Sequence, residues 1–297
     1  MPQAKAVLGA FDRAVPGQKK STATHEPDHR FGKIHVIPVT RSEAASGAAA
    51  EAAYRLFEIV FAAVVLILAL PLMLATAIAI RIDSPGPTLF FHTRSARSRR
   101  APGRDFKGRT DLCPPRGGYD PDALYYAPRY FKLIKFRTMY RDAQERFPEL
   151  YHSHYARENF RSTFPHIQND PRITRVGRVL RKLSVDELPN LWSVVTGDMR
   201  LVGPRPEAFE VVRYYTPEEM LKFTVKPGIT GLAQVSGRGL LNWGDTLALD
   251  LEYVRTRSVA LDLKILLSHV FDGEKLTDEH VAGVVNAITT FRKGEHR

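Results

Sequence analysis

The chain has one cysteine, Cys113, in 297 residues. A single thiol excludes an internal disulfide and a multi-cysteine zinc site, and it fits a reducing compartment. Cys113 stands in a Pro/Gly-rich loop without a CxxC context, and we read it as a bystander. Acids are also short: 32 Asp and Glu stand against 43 Lys and Arg, a formal net charge of +11. That deficit makes a polyanion the expected partner, whether nucleic acid, anionic lipid or a phosphorylated small molecule. The first long apolar run starts too late to follow an n-region, so no secretory signal is expected. Residues 1–53 lack a sustained period and are expected to form a flexible N-terminal arm, with a short strand at Ile34–Val39.

One stretch lacks charge altogether. Ile59–Ile80 has Thr76 as its single polar side chain. As one straight helix it would span roughly 33 Å, about a bilayer core. Pro71 interrupts that picture, because it removes one backbone donor and crowds the carbonyl of Ile67. A kinked span and a re-entrant hairpin both satisfy these facts. Basic residues on both flanks do not decide between them.

Asp83-Ser84-Pro85-Gly86-Pro87 reads as a stop and turn. Thr88–Thr93 fits a short strand. From Arg94 to Arg109 seven basic residues stand against one acid, Asp105. This run suits a solvated loop or contact with anionic headgroups. Residues 110–129 read as a loop or lid, and Phe131–Met139 as a strand on which Lys135 and Arg137 share a face. Tyr140–Phe164 has a polar helical pattern around Pro148.

The central stretch is Asn169–Pro206. Arg172, Arg175, Arg178 and Arg181 recur every third residue, a slowly turning stripe if helical, with Gly177 as a potential break. Ser184-Val185-Asp186-Glu187 has the capping-box pattern, which would place both acids in a helix first turn. A carboxylate there, beside arginines, would be held ionised, and the same N-terminus would attract phosphate. Asp186 could then act as a nucleophile on phosphorus, and Glu187 could hold Mg²⁺. Asp198 follows Gly197 in a turn, and Arg205 stands between Pro204 and Pro206, which restrict its backbone. Lys226–Arg238 is a Gly-rich basic loop ending in Arg238 that is compatible with phosphate. Asp250–Leu267 has a helical pattern, and Val281–Phe291 a short amphipathic one.

In series, K-F-R-T-M at 135–139, D-P-R-I-T-R-V-G-R-V-L-R-K-L-S-V-D-E-L-P-N-L-W at 170–192, G-D-M-R-L-V-G-P-R-P at 197–206 and K-P-G-I-T-G-L-A-Q-V-S-G-R at 226–238 resemble the bacterial sugar transferase family, the monotopic phosphoglycosyl transferases. The resemblance implies an α+β, mainly helical fold: a cytoplasmic globular domain with an N-terminal re-entrant membrane helix kinked at Pro71. It implies transfer of a phosphosugar from a nucleotide diphosphosugar to polyprenyl phosphate at the bacterial inner membrane. Asp186 would be the nucleophile and Glu187 would serve Mg²⁺. Phosphate and substrate would meet Lys135, Arg137, Arg181, Arg205, Asp198 and Arg238. Membrane lipids are expected partners, nucleic acid is not, and a homodimer is allowed.

The expected organisation is an arm over 1–53, the membrane helix over 54–83, a catalytic domain over 84–271 and a tail over 272–297. The sequence departs from the family pattern at Leu70-Pro71, where Ser-Pro is common, and in longer segments near 92–130 and 143–168. No multi-span N-terminal domain is evident, so a small core-only form is expected. A membrane-tethered nucleic-acid binder or a non-catalytic lipid-surface scaffold would share the charge. The first leaves the acid pair and the prolines around Arg205 unexplained, and no nucleic-acid motif is evident; in the second, Asp186 and Glu187 would merely cap a helix.

Overall fold

The charge-free run folds as the middle of one helix, α1 (Ala48–Asp83), in the computed structural model, which describes residues 33–39, 48–152, 169–237 and 241–271. The described part of the helix opens in the alanine-rich stretch, and alanine costs least in a helix. It continues through Pro71. Its middle presents Val64, Ile67, Leu68, Leu72, Leu74 and Ile78 to the outside, whereas Ala62, Thr76 and Ile80 are buried. So large an exposed apolar surface marks a membrane or partner contact.

Both ends of α1 hold the same body. Near its start, Glu58 pairs with Arg200, and the Arg55 guanidinium donates to the carbonyls of Met199 and Val194. At its end, Asp83 Oδ2 accepts from the backbone N–H of Val176 at 3.0 Å. Just beyond it, Ser84 accepts from Arg137 through both its hydroxyl and its carbonyl, each at 2.8 Å.

Strands β3 (Leu89–Pro102) and β5 (Leu124–Phe136) form a long antiparallel pair, from Leu89 opposite Phe136 to Pro102 opposite Leu124. Both are longer than the sequence suggested, and much of the basic run is strand rather than loop. The inward positions of β3 are Ser95, Ala96, Ser98 and Ala101, all buried and too small to produce the usual apolar alternation. Strands β1 (Ile34–His35) and β2 (Ile37–Pro38) replace the one strand expected there. β2 pairs with the other edge of β5, and β1 pairs in parallel with β4 (Leu112–Cys113). Val36 and Ile37 are buried, so this part of the arm belongs to the body. Cys113 is likewise buried in β4 rather than standing in a loop.

Further along the chain, the described part of the expected polar helix is interrupted at Pro148, with α2 (Ala143–Arg146) before it and α3 (Glu149–His152) after it; residues 153–164 of that expectation lie outside the described residues. Then follow α4 (Arg175–Lys182), a 3-10 turn (Val185–Asn190) and α5 (Leu191–Thr196). A parallel pair, β6 (Arg200–Val202) and β7 (Gly228–Thr230), precedes α6 (Leu232–Ser236). Two helices, α7 (Trp243–Thr256) and α8 (Val259–Phe271), replace the single one expected over 250–267. The segment around Val281–Phe291 lies outside the described residues.

The main core joins Ala62 of α1, Leu133 of β5, Val194 of α5, Val202 of β6, Tyr253 of α7 and Ile265 of α8. A second cluster packs Val211, Tyr215, Phe223, Trp243 and Leu247 against Ile37. The result is a mixed helix–strand body, about half helical, carrying one long apolar helix.

Candidate active site

The site is assembled from the segment that follows β5 in space. Thr174 caps α4, its hydroxyl accepting from the Gly177 N–H at 2.9 Å. The helix runs through Gly177 and does not break there. The glycine serves a close approach instead: a Cβ would lie 2.1 Å from the carbonyl oxygen of Thr138. Because α4 is short, the arginine stripe divides. Arg172 lies before it, buried against Asp170, with Nη2 and Oδ2 at 2.7 Å. Arg175 and Arg178 are exposed. Arg181 donates from Nε to Thr138 Oγ1 at 2.9 Å.

The capping box does not form. Ser184 takes the left-handed conformation, φ 55°, as the chain leaves α4, and its side chain makes no cap bond. The Glu187 carboxylate turns away to the Lys135 ammonium of β5, a charged partner stronger than the backbone N–H a capping box would offer. Asp186 is buried, 8 % exposed. Burial pushes its carboxyl above the usual aspartate range and Glu187 adds to the rise, while Lys135 and Arg181 oppose it. Asp186 and Glu187 do lie in the first turn of the 3-10 helix Val185–Asn190, but without the cap, and burial raises the Asp186 carboxyl.

Beside the acid pair a narrow cleft collects Lys135, Glu187, Arg205, Arg94 and Gln234. Arg205 is exposed between its two prolines. Its loop is held from both sides. Arg94 Nη1 donates to the Pro206 carbonyl at 3.3 Å. Glu207 forms a buried ion pair with Lys222, which also meets Asp250 at 2.9 Å. The two carboxylates outweigh burial and keep the Lys222 ammonium charged. Gln234 Oε1 is buried and has no hydrogen-bond partner among the described residues. Arg94 and Gln234 escaped the sequence reading, one counted within a basic run and the other lying in a loop noted for its glycines. No spacing marks either.

The model of the family described as "Bacterial sugar transferase" matches residues 49–110 and 124–273. The chain belongs to the bacterial sugar transferase family. Among curated relatives, an undecaprenyl-phosphate glucose phosphotransferase of Komagataeibacter xylinus is 36 % identical over 252 residues, 81 % of this chain. A UDP-glucose:undecaprenyl-phosphate glucose-1-phosphate transferase of Caulobacter vibrioides is 37 % identical over 226 residues, 73 % of this chain. The exopolysaccharide production protein ExoY of Rhizobium meliloti is 32 % identical over 219 residues, again 73 % of this chain. The aligned parts span 39 %, 67 % and 84 % of those relatives' own lengths.

The family match takes in α1, the acid pair and the cleft; residues 111–123, which include β4, fall between its two matched parts. Two residues expected at the site of this bacterial sugar transferase, Arg137 and Asp198, are engaged elsewhere. The Arg137 guanidinium closes the turn after α1, bonding Ser84 and the Pro87 carbonyl at 2.6–2.8 Å. Asp198 pairs with Arg129 at 3.3 Å and lines a different cavity. Arg238 lies outside the described residues. Pro71 sits within α1.

Proposed function

We propose that this sugar transferase moves a phosphosugar from a nucleotide diphosphosugar onto a polyprenyl phosphate, with Asp186 as the nucleophile. The observation that carries the proposal is the setting of Asp186: a buried carboxyl facing Lys135, Glu187 and Arg181, next to a cleft that holds Arg205. Names of relatives supply the substrate classes, UDP-glucose and undecaprenyl phosphate.

In the first half-reaction an Asp186 oxygen bonds to the sugar-bearing phosphorus. The bridging P–O bond breaks, and nucleoside monophosphate leaves with the electron pair. In the second, a polyprenyl phosphate oxygen attacks the same phosphorus, the carboxylate leaves, and a polyprenyl diphosphosugar forms. Both leaving groups depart as anions, so neither step needs a proton donor. Lys135, Arg181 and Arg205 would offset the charge that gathers on the transferred group.

Mg²⁺ fits this donor set. Among the described residues no cluster of three or more His, Cys, Asp or Glu exists that could hold a metal. An ion here would use Asp186 or Glu187 and complete its shell with phosphate oxygens and water, as Mg²⁺ prefers. Bound there, it would neutralise phosphoryl charge. Lys135 would hold Glu187 in place for that role.

The attachment of both ends of α1 to one body supports a re-entrant helix bent at Pro71. A spanning helix would have to leave the body at one end. The body would then sit on the cytoplasmic face of the inner membrane, where a lipid-borne acceptor meets a soluble donor. Labelling Ala50→Cys and Pro85→Cys from each side, in a Cys113→Ser background, should place both on one face; opposite faces would mean a span.

Activity is tested with the purified full chain, Mg²⁺, undecaprenyl phosphate and a donor panel beginning with UDP-glucose. Nucleoside monophosphate should be released, and donor without acceptor should leave a phosphosugar on the peptide containing Asp186. Asp186→Asn should lower turnover by about 10⁴-fold or more, as loss of a nucleophile does. Retained turnover would remove Asp186 from that role, and no release with any donor would sink the proposal.

A further inference from the structure

We propose that a second anion site, separate from the acid pair, lies between the β3–β5 pair and the Gly197-Asp198 turn and takes a phosphate-bearing ligand. A cavity of about 430 Å³ opens there, lined by Arg97, Arg99, Arg100, Arg129 and Lys226, with Tyr126 as an aromatic wall. The volume falls within the usual span of small-ligand sites, roughly 300–1,000 Å³.

The strands build this hollow through a bulge. Ala96 pairs with Arg129 and Arg99 with Ala127, so β3 advances three residues while β5 advances two. Pro128 stands opposite the extra residue, where β5 offers no backbone donor. The bulge brings Arg97, Arg99 and Arg100 to one concavity, with Arg129 across the strand pair.

Charge in the cavity is one-sided. Among its described lining residues Asp198 is the single carboxylate, against five cations, and Arg129 engages it at 3.3 Å. Lys226 is half-buried; burial, and then the like charges of Arg55, Arg97 and Arg200, push its ammonium below the usual lysine range. Arg55 and Lys226 both approach the turn at Gly197, which takes φ 92°: a Cβ there would lie 3.5 Å from Arg55 Nη2 and 3.7 Å from Lys226 Nζ, in ordinary contact with both. Arg97 Nε donates to the Thr224 carbonyl at 3.0 Å, which orients the guanidinium and leaves its charge in place. Cations gathered against their mutual repulsion are stabilised when an anion enters.

This is not the catalytic cleft. Arg129 and Lys135 are six positions apart on β5, about 20 Å along a strand. One phosphate group cannot serve both. Arg55 belongs to the apolar helix, so the ligand could be an anionic lipid headgroup as well as a soluble phosphate compound.

The test compares the full chain with Arg99→Gln/Arg129→Gln, two exposed positions. One arm measures binding to phosphatidylcholine vesicles with and without phosphatidylglycerol. The other measures pyrophosphate by equilibrium dialysis, with Arg205→Ala in every protein so that the cleft is silenced. The cavity variant should bind about tenfold more weakly in at least one arm, as expected when charged hydrogen bonds are lost. Arg104→Gln/Arg116→Gln, which removes equal charge elsewhere, should change binding by about twofold or less. Loss in the vesicle arm alone assigns a lipid headgroup, and loss in the pyrophosphate arm alone a soluble ligand. Equal binding in both arms, or equal loss in the control, overturns the proposal. Should the double variant fail to fold, Lys226→Gln carries the same comparison.

Discussion

Glu58 and Arg200 form a buried ion pair across 142 positions of sequence, with Nε 3.0 Å from Oε2. The same carboxylate accepts from the Leu201 N–H at 2.9 Å. The pair docks the start of the apolar helix on β6, the strand that leads directly into Pro204-Arg205-Pro206. The apolar helix and the Arg205 loop therefore share one joint. Glu58→Ala leaves Arg200 buried without its main counter-charge, and such losses cost about 3–5 kcal/mol. Thermal unfolding in detergent should show a large drop, and Glu58→Ala/Arg200→Met should recover much of it. A single variant as stable as the wild type would mean that the pair does not hold the helix.

Lys135 opposes the burial that raises the Asp186 carboxyl. Removing it lets that pKa rise further, and the nucleophilic role proposed for Asp186 needs the ionised form. In Lys135→Met the acid limb of the rate–pH profile should move to higher pH. Part of the lost rate should return as pH increases. A uniform fall with an unmoved acid limb would place Lys135 on the substrate alone.

The local features of the sequence that survive folding are those that need no distant partner. The charge-free run is a helix of mostly apolar side chains, and Gly197 ends α5 because glycine takes the left-handed turn without steric cost. Lys135, Glu187 and Arg205 could be nominated from residue type and do share a cleft. What misled was competition from afar. Ser184-x-x-Glu187 has the letters of a cap, but Lys135, 52 positions earlier, takes the glutamate. Arg137 looked like a phosphate ligand beside Lys135, but Ser84 and Pro87 take its donors. β3 was hidden because serine and alanine fill its inward positions. None of these outcomes is written within a few residues of the group concerned.

Asp262 is buried in α8 and accepts from the Tyr253 hydroxyl at 2.7 Å. Burial raises its pKa from 3.8 to about 6, against the pull of that hydrogen bond and of Arg200 and Arg257. The folded state thus binds a proton that the unfolded chain has released, and stability declines as pH rises from about 4 to about 6. Asp262→Asn removes this slope. The stability of the variant relative to wild type should grow across that window by on the order of 3 kcal/mol and then level off. Denaturant unfolding at several pH values measures it, and a difference that does not vary with pH would show that the carboxyl does not titrate there.

Gly177 offers a test of how closely α4 and the end of β5 must approach. The methyl of Gly177→Ala would sit 2.1 Å from the Thr138 carbonyl oxygen, a distance no real contact allows. Backbone lies on both sides of the clash, so relief requires α4 to move as a unit. Arg181 rides on α4 and is held by Thr138 Oγ1, so the movement would break that bond and carry one cation away from Asp186. The expected outcome is a stability loss of about 1–3 kcal/mol, typical of overpacking, with a fall in turnover larger than the unfolded fraction explains. Arg181→Lys separates the two effects: it keeps α4 in place and the charge present but removes the Nε donor. Its turnover should fall while its unfolding temperature stays near wild type. If Gly177→Ala loses stability and the remaining folded enzyme turns over at the wild-type rate, α4 placement does not govern the acid pair.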